Sequence, residues 1–286
     1  MANQNRLVRW AGGKSWFIPF FEDLTCYLEY NNYFEPFAGG TSIFFACVRG
    51  HKAYLSDLND ELINAYKIVK TKPDELCKKL NEMEVTEEQY YYYRDKYEYT
   101  NDIEKAARFL YLNHASFNGI YRVNNSGKYN VPYGKRDIKY NTDIIKRANV
   151  LLENTELKTG DFSIWADEIN ENDLVFLDPP YSVSSNKKEN GFIAYNQKLF
   201  SLEDQERLKE FIDIIKKKKA FYILTNASHE KIEEIFDECG DEKITLSRAC
   251  VIGGKNAERG KVNEYIFTNI PKSKWREEDG YFESID

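Results

Sequence analysis

Four consecutive residues, Asp178-Pro179-Pro180-Tyr181, have the types and spacing to do chemistry at the end of a strand. The apolar run Val175–Leu177 that precedes them is typical of a buried strand. The two prolines exclude both a strand ladder and the start of a helix, so the turn must be stiff. The sequence therefore predicts a carboxylate, a backbone carbonyl and an aromatic ring at the carboxyl edge of a strand, where open α/β sheets bind ligands.

These three groups suit a planar amine such as the exocyclic amino group of adenine. That nitrogen is a weak nucleophile because its lone pair is delocalised into the ring. We expect the Asp178 carboxylate and the Pro179 carbonyl each to accept one N–H, which favours the tetrahedral nitrogen that develops during transfer. Tyr181 would stack on the base. The alternative is a structural turn with a solvated Asp178 and a packed Tyr181.

The segment Arg9–Ser15 is a second candidate for ligand binding. It ends in Gly-Lys-Ser, as a P-loop does, but a P-loop has glycine five positions earlier, where this chain has Val8. We therefore reject an ATPase site. The flexible glycine pair would still let Lys14 meet a carboxylate and Trp10 line an adenine or sulfonium site. A core Trp10 and a surface Lys14 are the alternative.

A glycine turn with a strand before it and a helix after it also lies in the first half. Tyr33–Phe34 predict the strand, Gly39-Gly40 the turn, and Thr41 or Ser42 the cap of an apolar helix. A second short strand ends at Asp57, at about the 20-residue spacing at which an acid binds ribose hydroxyls. Asp57 also precedes a helix, so a purely capping role is the alternative.

Between Glu61 and Asn154 the pattern becomes helical, with one exception, and it includes a tyrosine-rich helix predicted over Tyr90–Tyr99. Ile120–Val123 and Tyr129–Val131 flank a glycine-containing loop and predict a β-hairpin. Its polar and aromatic side chains suit the reading of base edges and the opening of a base stack. They are Phe117, Asn118, Tyr121, Arg122, Lys128, Tyr129 and Tyr133. The alternative is a structural hairpin with a solvated rim.

The second half returns to alternating strands and helices. Asp161 and Phe162 follow a short strand and could accept from, and pack against, a cofactor adenine. The later segments are a polar loop at Ser182–Ala194, helices at Leu202–Lys219 and Ser228–Cys239, and strands at Ala220–Thr225, Lys243–Cys250 and Val262–Thr268. The last two strands are expected to pair as an antiparallel hairpin that closes the sheet.

Composition narrows the class of protein. The chain has 286 residues, with 42% hydrophobic and 30% charged, as in soluble globular proteins. Its net charge of −7 counts against non-specific nucleic-acid binding, so any DNA contact needs a local basic face. The five scattered cysteines favour a reducing cytosol without a zinc site or disulfide framework, and the three histidines show no metal-ligand spacing. The N-terminus is polar and no apolar run approaches the length of a membrane span, so we expect neither a signal peptide nor a transmembrane helix.

Taken in chain order, several stretches resemble the Dam-type DNA adenine N6-methyltransferases. They are Trp10–Lys14, Phe34–Gly40, Asp57, Gly160–Phe162 and Asp178–Tyr181, with Leu112-Asn113, Phe117–Gly119, Tyr121-Arg122 and Asn130–Gly134 in and before the hairpin. The order matches the family's alpha group, in which the cofactor turn precedes the recognition region and the catalytic turn follows it. The resemblance implies a Rossmann-like, seven-stranded S-adenosylmethionine methyltransferase sheet from residues 1–58 and 155–286. It also implies a mostly helical target-recognition domain at residues 59–154 that carries the hairpin.

The resemblance implies roles for individual residues. The catalytic turn would be Asp178, Pro179, Pro180 and Tyr181. Cofactor contacts would come from Trp10, Lys14, Glu35, Phe37, Ala38, Gly39, Gly40, Asp57, Asp161, Phe162 and Asp178. DNA contacts would come from Arg9, Phe117, Asn118, Arg122, Lys128, Tyr133 and Lys135. No metal is expected.

The implied activity is methyl transfer from S-adenosylmethionine to N6 of a flipped-out adenine in duplex DNA. GATC is the commonest target of this subgroup, and a monomer or weak dimer in the cytoplasm of a bacterium or phage host is expected. A methyltransferase for RNA or protein amides is one rival, although those more often have Asn at the position of Asp178. An inactive DNA-binding module is the other. The exact recognition sequence and the presence of a partner restriction enzyme stay open.

Overall fold

The computed structural model describes residues 6–124, 126–135, 140–182, 200–237, 241–249 and 261–276. Its strands are β1 (Asn32–Glu35), β2 (Lys52–Asp57), β3 (Thr155–Thr159), β4 (Leu174–Leu177), β5 (Phe221–Ala227), β6 (Glu242–Ala249) and β7 (Lys261–Thr268). They form a seven-stranded sheet in the order β3-β2-β1-β4-β5-β7-β6. The seven-stranded α/β sheet expected from the sequence is therefore confirmed.

The α-helices of the described residues come before β1 or between later strands along the chain. They are α1 (Ile18–Leu24), α2 (Ser42–Cys47), α3 (Asp60–Thr71), α4 (Pro73–Glu82), α5 (Glu87–Asp95), α6 (Asp102–Ala115), α7 (Thr142–Leu152), α8 (Leu202–Lys217) and α9 (Glu230–Phe236). None of these helices is both long enough and apolar enough to cross a membrane.

Two helix predictions need correction. The helix predicted over Tyr90–Tyr99 is α5, which ends at Asp95 because the chain turns and packs Tyr97 edge-on against the rings of Tyr92 and Tyr93. Thr41 occupies the N-cap position of α2, but its φ of 45° is left-handed and its side chain makes no capping bond. The predicted loop at Ser182–Ala194 and the end of the helix predicted to Cys239 lie outside the described residues, Ser182 excepted.

The chain divides into two compact units. Unit 1 comprises Met1–Ile18 with Ala38–Phe162, and unit 2 comprises Pro19–Phe37 with Ser163–Asp286. In unit 1, β2 and β3 pair in parallel, and α3, α4, α6 and α7 pack on one another. In unit 2, β1, β4 and β5 run parallel, and β7 and β6 add antiparallel strands.

Strand β4 is the best-buried strand of unit 2, since all of its residues are buried. Such a continuous apolar run is expected where a parallel strand is covered on both faces. Phe34 of β1 lies opposite Val175 of β4, so the two strands end side by side. The strand order reverses at this pair, and the crevice beyond the carboxyl ends at such a switch point is where open α/β sheets bind ligands.

The predicted β-hairpin is not confirmed. Val123 and Tyr129 form a single antiparallel bridge, Ser116 and Tyr133 form another, and the described part of this segment contains no extended strand. Backbone bonds flank the first bridge, from Asn124 N to the Lys128 carbonyl at 2.8 Å and from Asn130 N to the Arg122 carbonyl at 3.1 Å. The Tyr129 hydroxyl also donates to the Ile120 carbonyl at 2.8 Å, so a side chain contributes to holding the segment.

His114 near the end of α6 ties this helix to the N-terminal segment. Its Nε2 lies 3.0 Å from the Leu7 carbonyl oxygen, so Nε2 carries a proton and donates it. The residue is only 6% exposed, and burial lowers the pKa of His114 to about 4. An unfolded histidine has a pKa near 6.5. The unfolded chain therefore binds a proton between these values that the native state excludes.

We expect this histidine to lower the free energy of unfolding by up to about 3 kcal/mol as the pH falls from 7 to 4. Denaturant unfolding of the wild type and His114→Gln at several pH values checks this. The free energy of unfolding of the wild type should fall towards that of the variant as the pH falls, because only the wild type has this titrating histidine. A stability difference that stays constant over the range would contradict the prediction.

Candidate functional site

The glycine turn of unit 1 is built around Trp10. Gly39 has a φ of +44°, and a Cβ at Gly39 would lie 2.8 Å from Cδ1 of the indole, so a side chain is excluded on both counts. A Cβ at Gly40 would lie 3.1 Å from Trp10 Cβ. Ala38 N donates to the Ser56 carbonyl of β2 at 2.9 Å. The turn is thus fixed against both β2 and the indole.

Asp57 at the end of β2 supports the same turn. Its Oδ2 accepts from Gly39 N at 2.9 Å, and its Oδ1 accepts from Asn59 N at 2.9 Å. Burial raises the pKa of Asp57, and these backbone N–H groups oppose that rise. Asn59, rather than Asp57, caps α3 by accepting from Leu62 N at 3.0 Å. The capping-only interpretation of Asp57 therefore does not describe its contacts.

Further candidates of unit 1 lie after β3 and in the N-terminal segment. Thr159 is the register partner of Asp57, and Gly160 N donates to the Asp57 carbonyl at 3.1 Å, so Asp161 follows the strand end beside it. Leu58, the residue after Asp57, is 67% exposed. Lys14 is buried, and its Nζ donates to the Gly12 carbonyl at 3.4 Å.

The N-terminal segment also joins the glycine turn to the segment after α6. The Asn113 side chain makes two bonds of 2.8 Å to the Arg9 backbone, accepting from its N–H and donating to its carbonyl. Trp10 stacks on Tyr121 with ring centroids 5.4 Å apart. The Tyr121 hydroxyl donates to Glu61 at 3.1 Å. Arg9 and Trp10 thus link the glycine turn to the segment after α6, which are the two predicted binding regions of unit 1.

The predicted DNA-contacting residues differ in exposure. Phe117 is 52% exposed, and Asn118, Arg122, Lys128 and Lys135 are exposed as well. Arg122 Nε donates to Asn130 Oδ1 at 2.8 Å.

Two other predicted DNA contacts are less accessible. Tyr133 is half-buried against the Tyr90 ring, with centroids 5.4 Å apart. Arg9 is buried, and its guanidinium donates to the His114 carbonyl at 3.4 Å. A base contact by Arg9 therefore stays a prediction.

In unit 2 the Asp-Pro-Pro-Tyr turn leaves the sheet at the end of β4, as predicted. The hydroxyl of Thr225, a buried residue of β5, donates to Asp178 Oδ1 at 2.8 Å. The Tyr181 hydroxyl donates to the carboxylate of Glu264, a buried residue of β7. Side chains from two neighbouring strands therefore hold the carboxylate and the ring of the turn.

The end of β1 contributes further predicted residues to unit 2. Glu35 is buried and accepts from the Tyr33 hydroxyl at 2.8 Å. The ring of Phe37 packs edge-on against Phe200, with centroids 5.6 Å apart.

A chain of buried polar side chains supports Phe200 and the residue after the turn. Asn226 donates to Gln205 at 3.0 Å, Gln205 donates to Ser182 at 3.1 Å, and the Ser182 hydroxyl donates to the Phe200 carbonyl at 2.7 Å. All three side chains are buried. This chain fixes the backbone where the turn ends.

Three supporting residues were not predicted from the sequence: Gln205, Thr225 and Glu264. A signal existed for two of them, because Gln205 and Glu264 are polar residues at positions where the helix and strand patterns call for apolar ones. For Thr225 the local sequence gives no comparable signal. Asn113 belongs to a stretch that carries the family resemblance, but the sequence assigned it no role.

Comparison with known proteins places the chain in a family. The family described as D12 class N6 adenine-specific DNA methyltransferase matches residues 10–249. The type II methyltransferase M1.LlaDCHI of Lactococcus lactis subsp. cremoris is 34% identical over 93% of this chain and 96% of its own length. The DNA adenine methylase of Escherichia coli K12 is 28% identical over 93% of this chain and 95% of its own.

These findings confirm the resemblance to Dam-type enzymes and displace both rivals, the RNA or protein methyltransferase and the inactive module. The DNA N-6-adenine-methyltransferase of Escherichia phage P1 is also similar, at 30% identity over 92% of this chain and 35% of the phage protein. Three observations support the same family. They are the glycine turn with its acid, the acid-proline-proline-tyrosine turn at the switch point, and a match over most of the chain. The chain belongs to the D12 class N6 adenine-specific DNA methyltransferases.

Proposed function

We propose that this enzyme transfers the methyl group of S-adenosylmethionine to N6 of an adenine that is flipped out of duplex DNA. The observation that carries the proposal is the position of Asp178, at the switch point of the sheet and oriented by Thr225. A carboxylate can accept more than one hydrogen bond on each oxygen. Asp178 is therefore able to accept an amine N–H in addition to the Thr225 hydroxyl.

The catalytic turn acts on the amine as follows. Asp178 and the Pro179 carbonyl accept the two N–H groups of adenine N6 and draw electron density towards the nitrogen. Tyr181 stacks on the base and holds its plane. As the nitrogen–carbon bond forms, the carbon–sulfur bond of the sulfonium would break and leave a neutral thioether. One N–H proton would pass to water, and no covalent enzyme intermediate is needed. Fixed acceptors in a dry site stabilise this change without reorganisation.

The residues of the glycine turn fit S-adenosylmethionine, which supplies an electrophilic methyl group on a sulfonium. In unit 1, Asp57 would bind the ribose hydroxyls, the exposed Leu58 would cover the adenine, and the Trp10 indole would face the sulfonium. The other proposed cofactor contacts of unit 1 are Lys14, Ala38, Gly39, Gly40, Asp161 and Phe162. Those of unit 2 are Glu35, Phe37 and Asp178.

For DNA recognition we propose residues 59–154 as the target-recognition domain, with GATC as the target. The exposed side chains of Asn118, Arg122, Lys128 and Lys135 support this, because they give an acidic protein a local polar and basic surface. Phe117 is exposed and can fill the gap left by the flipped base. Arg9 and Tyr133 complete the proposed contacts. Flipping costs a few kcal/mol, which these contacts must supply.

The test is methyl transfer from labelled S-adenosylmethionine to a duplex with one GATC site. We expect the label to appear in the DNA as N6-methyladenine, with much less in the single strand and none in a duplex whose site is already methylated. Label in RNA alone, or no label in any DNA, would contradict the proposal. Single-molecule sequencing of DNA from cells that express the chain tests the site sequence separately.

Thr225 gives a prediction about the orientation of Asp178. Thr225→Val removes the hydroxyl and keeps the shape, and hydrogen bonds to charged groups contribute about 1.5–3 kcal/mol. We therefore expect single-turnover methyl transfer to slow by roughly 10- to 100-fold. Thr225→Ser keeps the donor and should retain most of the rate. A valine variant that is as fast as the serine variant would show that this bond does not orient Asp178 for catalysis.

A further inference from the structure

We propose that Glu264 is a positioning residue that holds the ring of Tyr181 in the orientation in which it stacks on the target adenine. The inference rests on the stacking role proposed for Tyr181. It goes beyond that role because it assigns the acceptor that fixes the ring. Glu264 has 0% exposure, and the Tyr181 hydroxyl donates to its carboxylate.

The bond holds the ring from the end opposite its backbone. Pro180 precedes Tyr181 and has a fixed φ, so the backbone that carries the ring is already stiff. An anchor at the para hydroxyl then limits rotation about both side-chain torsions. Such a ring is preorganised, because its orientation does not have to be paid for when the base arrives.

The strand pairing places this anchor beside the other support of the turn. Glu264 of β7 lies opposite Ala227 of β5, and Ile266 lies opposite Thr225. Hence neighbouring strands supply the acceptor for Tyr181 and the donor for Asp178. Burial of a carboxylate is costly unless it is hydrogen-bonded, so an acid at this position of an otherwise strand-like segment needs a reason. Holding the catalytic tyrosine provides that reason.

Four single variants and the double variant Glu264→Leu/Tyr181→Phe test the proposal. Glu264→Leu removes the acceptor, Tyr181→Phe keeps the ring and removes the donor, Glu264→Gln keeps an oxygen acceptor, and Tyr181→Ala removes the ring. Tyr181→Phe tests the same bond without altering a buried strand, so the test survives a failure of Glu264→Leu to fold. The readouts are the single-turnover rate, the Kd for duplex DNA and the emission of 2-aminopurine placed at the target adenine. Stacking quenches that emission.

We expect Glu264→Leu and Tyr181→Phe each to slow single turnover by 5- to 20-fold and to raise the emission, with the DNA Kd changed less than threefold. The double variant should be no slower than either single variant, because both remove one bond. Glu264→Gln should recover most of the rate and the quenching. These results would not follow from a merely structural role, which would lower the melting temperature and leave the emission of the folded enzyme unchanged.

Three outcomes would overturn the inference, and they can be told apart. If Tyr181→Ala changes rate and emission but Glu264→Leu and Tyr181→Phe do not, the stacking role stands and the anchor is refuted. The anchor is refuted in the same way if the two single effects add in the double variant. If Tyr181→Ala itself leaves emission and rate at wild-type values, the stacking role fails and the inference fails with it.

Discussion

Replacement of Asp178 with alanine should slow methyl transfer by about 10³-fold, the loss typical of removing a group that stabilises developing charge in a transition state. The carboxylate is the stronger of the two acceptors proposed for the adenine amine. Asp178→Asn keeps one oxygen acceptor, so its loss should be smaller than that of alanine. The fold should survive in both, because Asp178 lies at the end of β4 and outside its buried run.

The measurement is a single-turnover rate with labelled S-adenosylmethionine and duplex DNA, with thermal unfolding in parallel. Asp204→Asn is a matched control, since it makes the same chemical change in the capping box of α8. We expect that control to lower stability slightly and to leave the rate of the folded enzyme unchanged. Near-normal turnover of Asp178→Ala would remove the role assigned to this residue.

Substitution of Asp57 should have the next largest effect, on the Kd for S-adenosylmethionine rather than on the rate of methyl transfer. If Asp57 accepts hydrogen bonds from the ribose, each is assisted by its charge and contributes about 1.5–3 kcal/mol. Loss of about 3 kcal/mol raises the Kd for S-adenosylmethionine by roughly 100-fold. Asp57→Ala would also leave Gly39 N without its acceptor at 2.9 Å, which loosens the glycine turn. At saturating cofactor the turnover should fall much less.

Isothermal titration calorimetry with S-adenosylmethionine measures this Kd directly. Asp60→Asn provides the control, because Asp60 lies three residues later, has a side chain 66% exposed and pairs with Lys105 at 2.6 Å. We expect the control to bind the cofactor like the wild type. An Asp57 variant with unchanged affinity and a reduced turnover would move this residue from cofactor binding to some other task.

The turns of the site could be predicted because their signals are local. An apolar run followed by two prolines gives a strand and a stiff exit wherever it occurs, and β4 with its turn follows that pattern. The same holds for Gly39, whose positive φ and contact with the indole require glycine. The number of strands was implied by resemblance to a family rather than by periodicity. The sheet has the seven strands that the resemblance implied.

The supports of the site could not be predicted because they come from distant parts of the chain. Thr225 is 47 residues from Asp178, Glu264 is 83 residues from Tyr181, and Asn113 is 104 residues from Arg9. Such pairs depend on strand order and register, which no short window of sequence encodes. The unconfirmed hairpin shows the converse limit, since the residues that favour strands at Ile120–Val123 and Tyr129–Val131 pair through a single bridge, Val123 with Tyr129.

The most direct test of the central claim is a crystal structure of the enzyme with duplex DNA and an unreactive analogue of S-adenosylmethionine. We predict that adenine N6 lies about 2.7–3.2 Å from both an Asp178 carboxylate oxygen and the Pro179 carbonyl oxygen, with the base plane against Tyr181. An extruded adenine whose amine is bound by other residues, or a target adenine that stays stacked in the helix, would contradict the account.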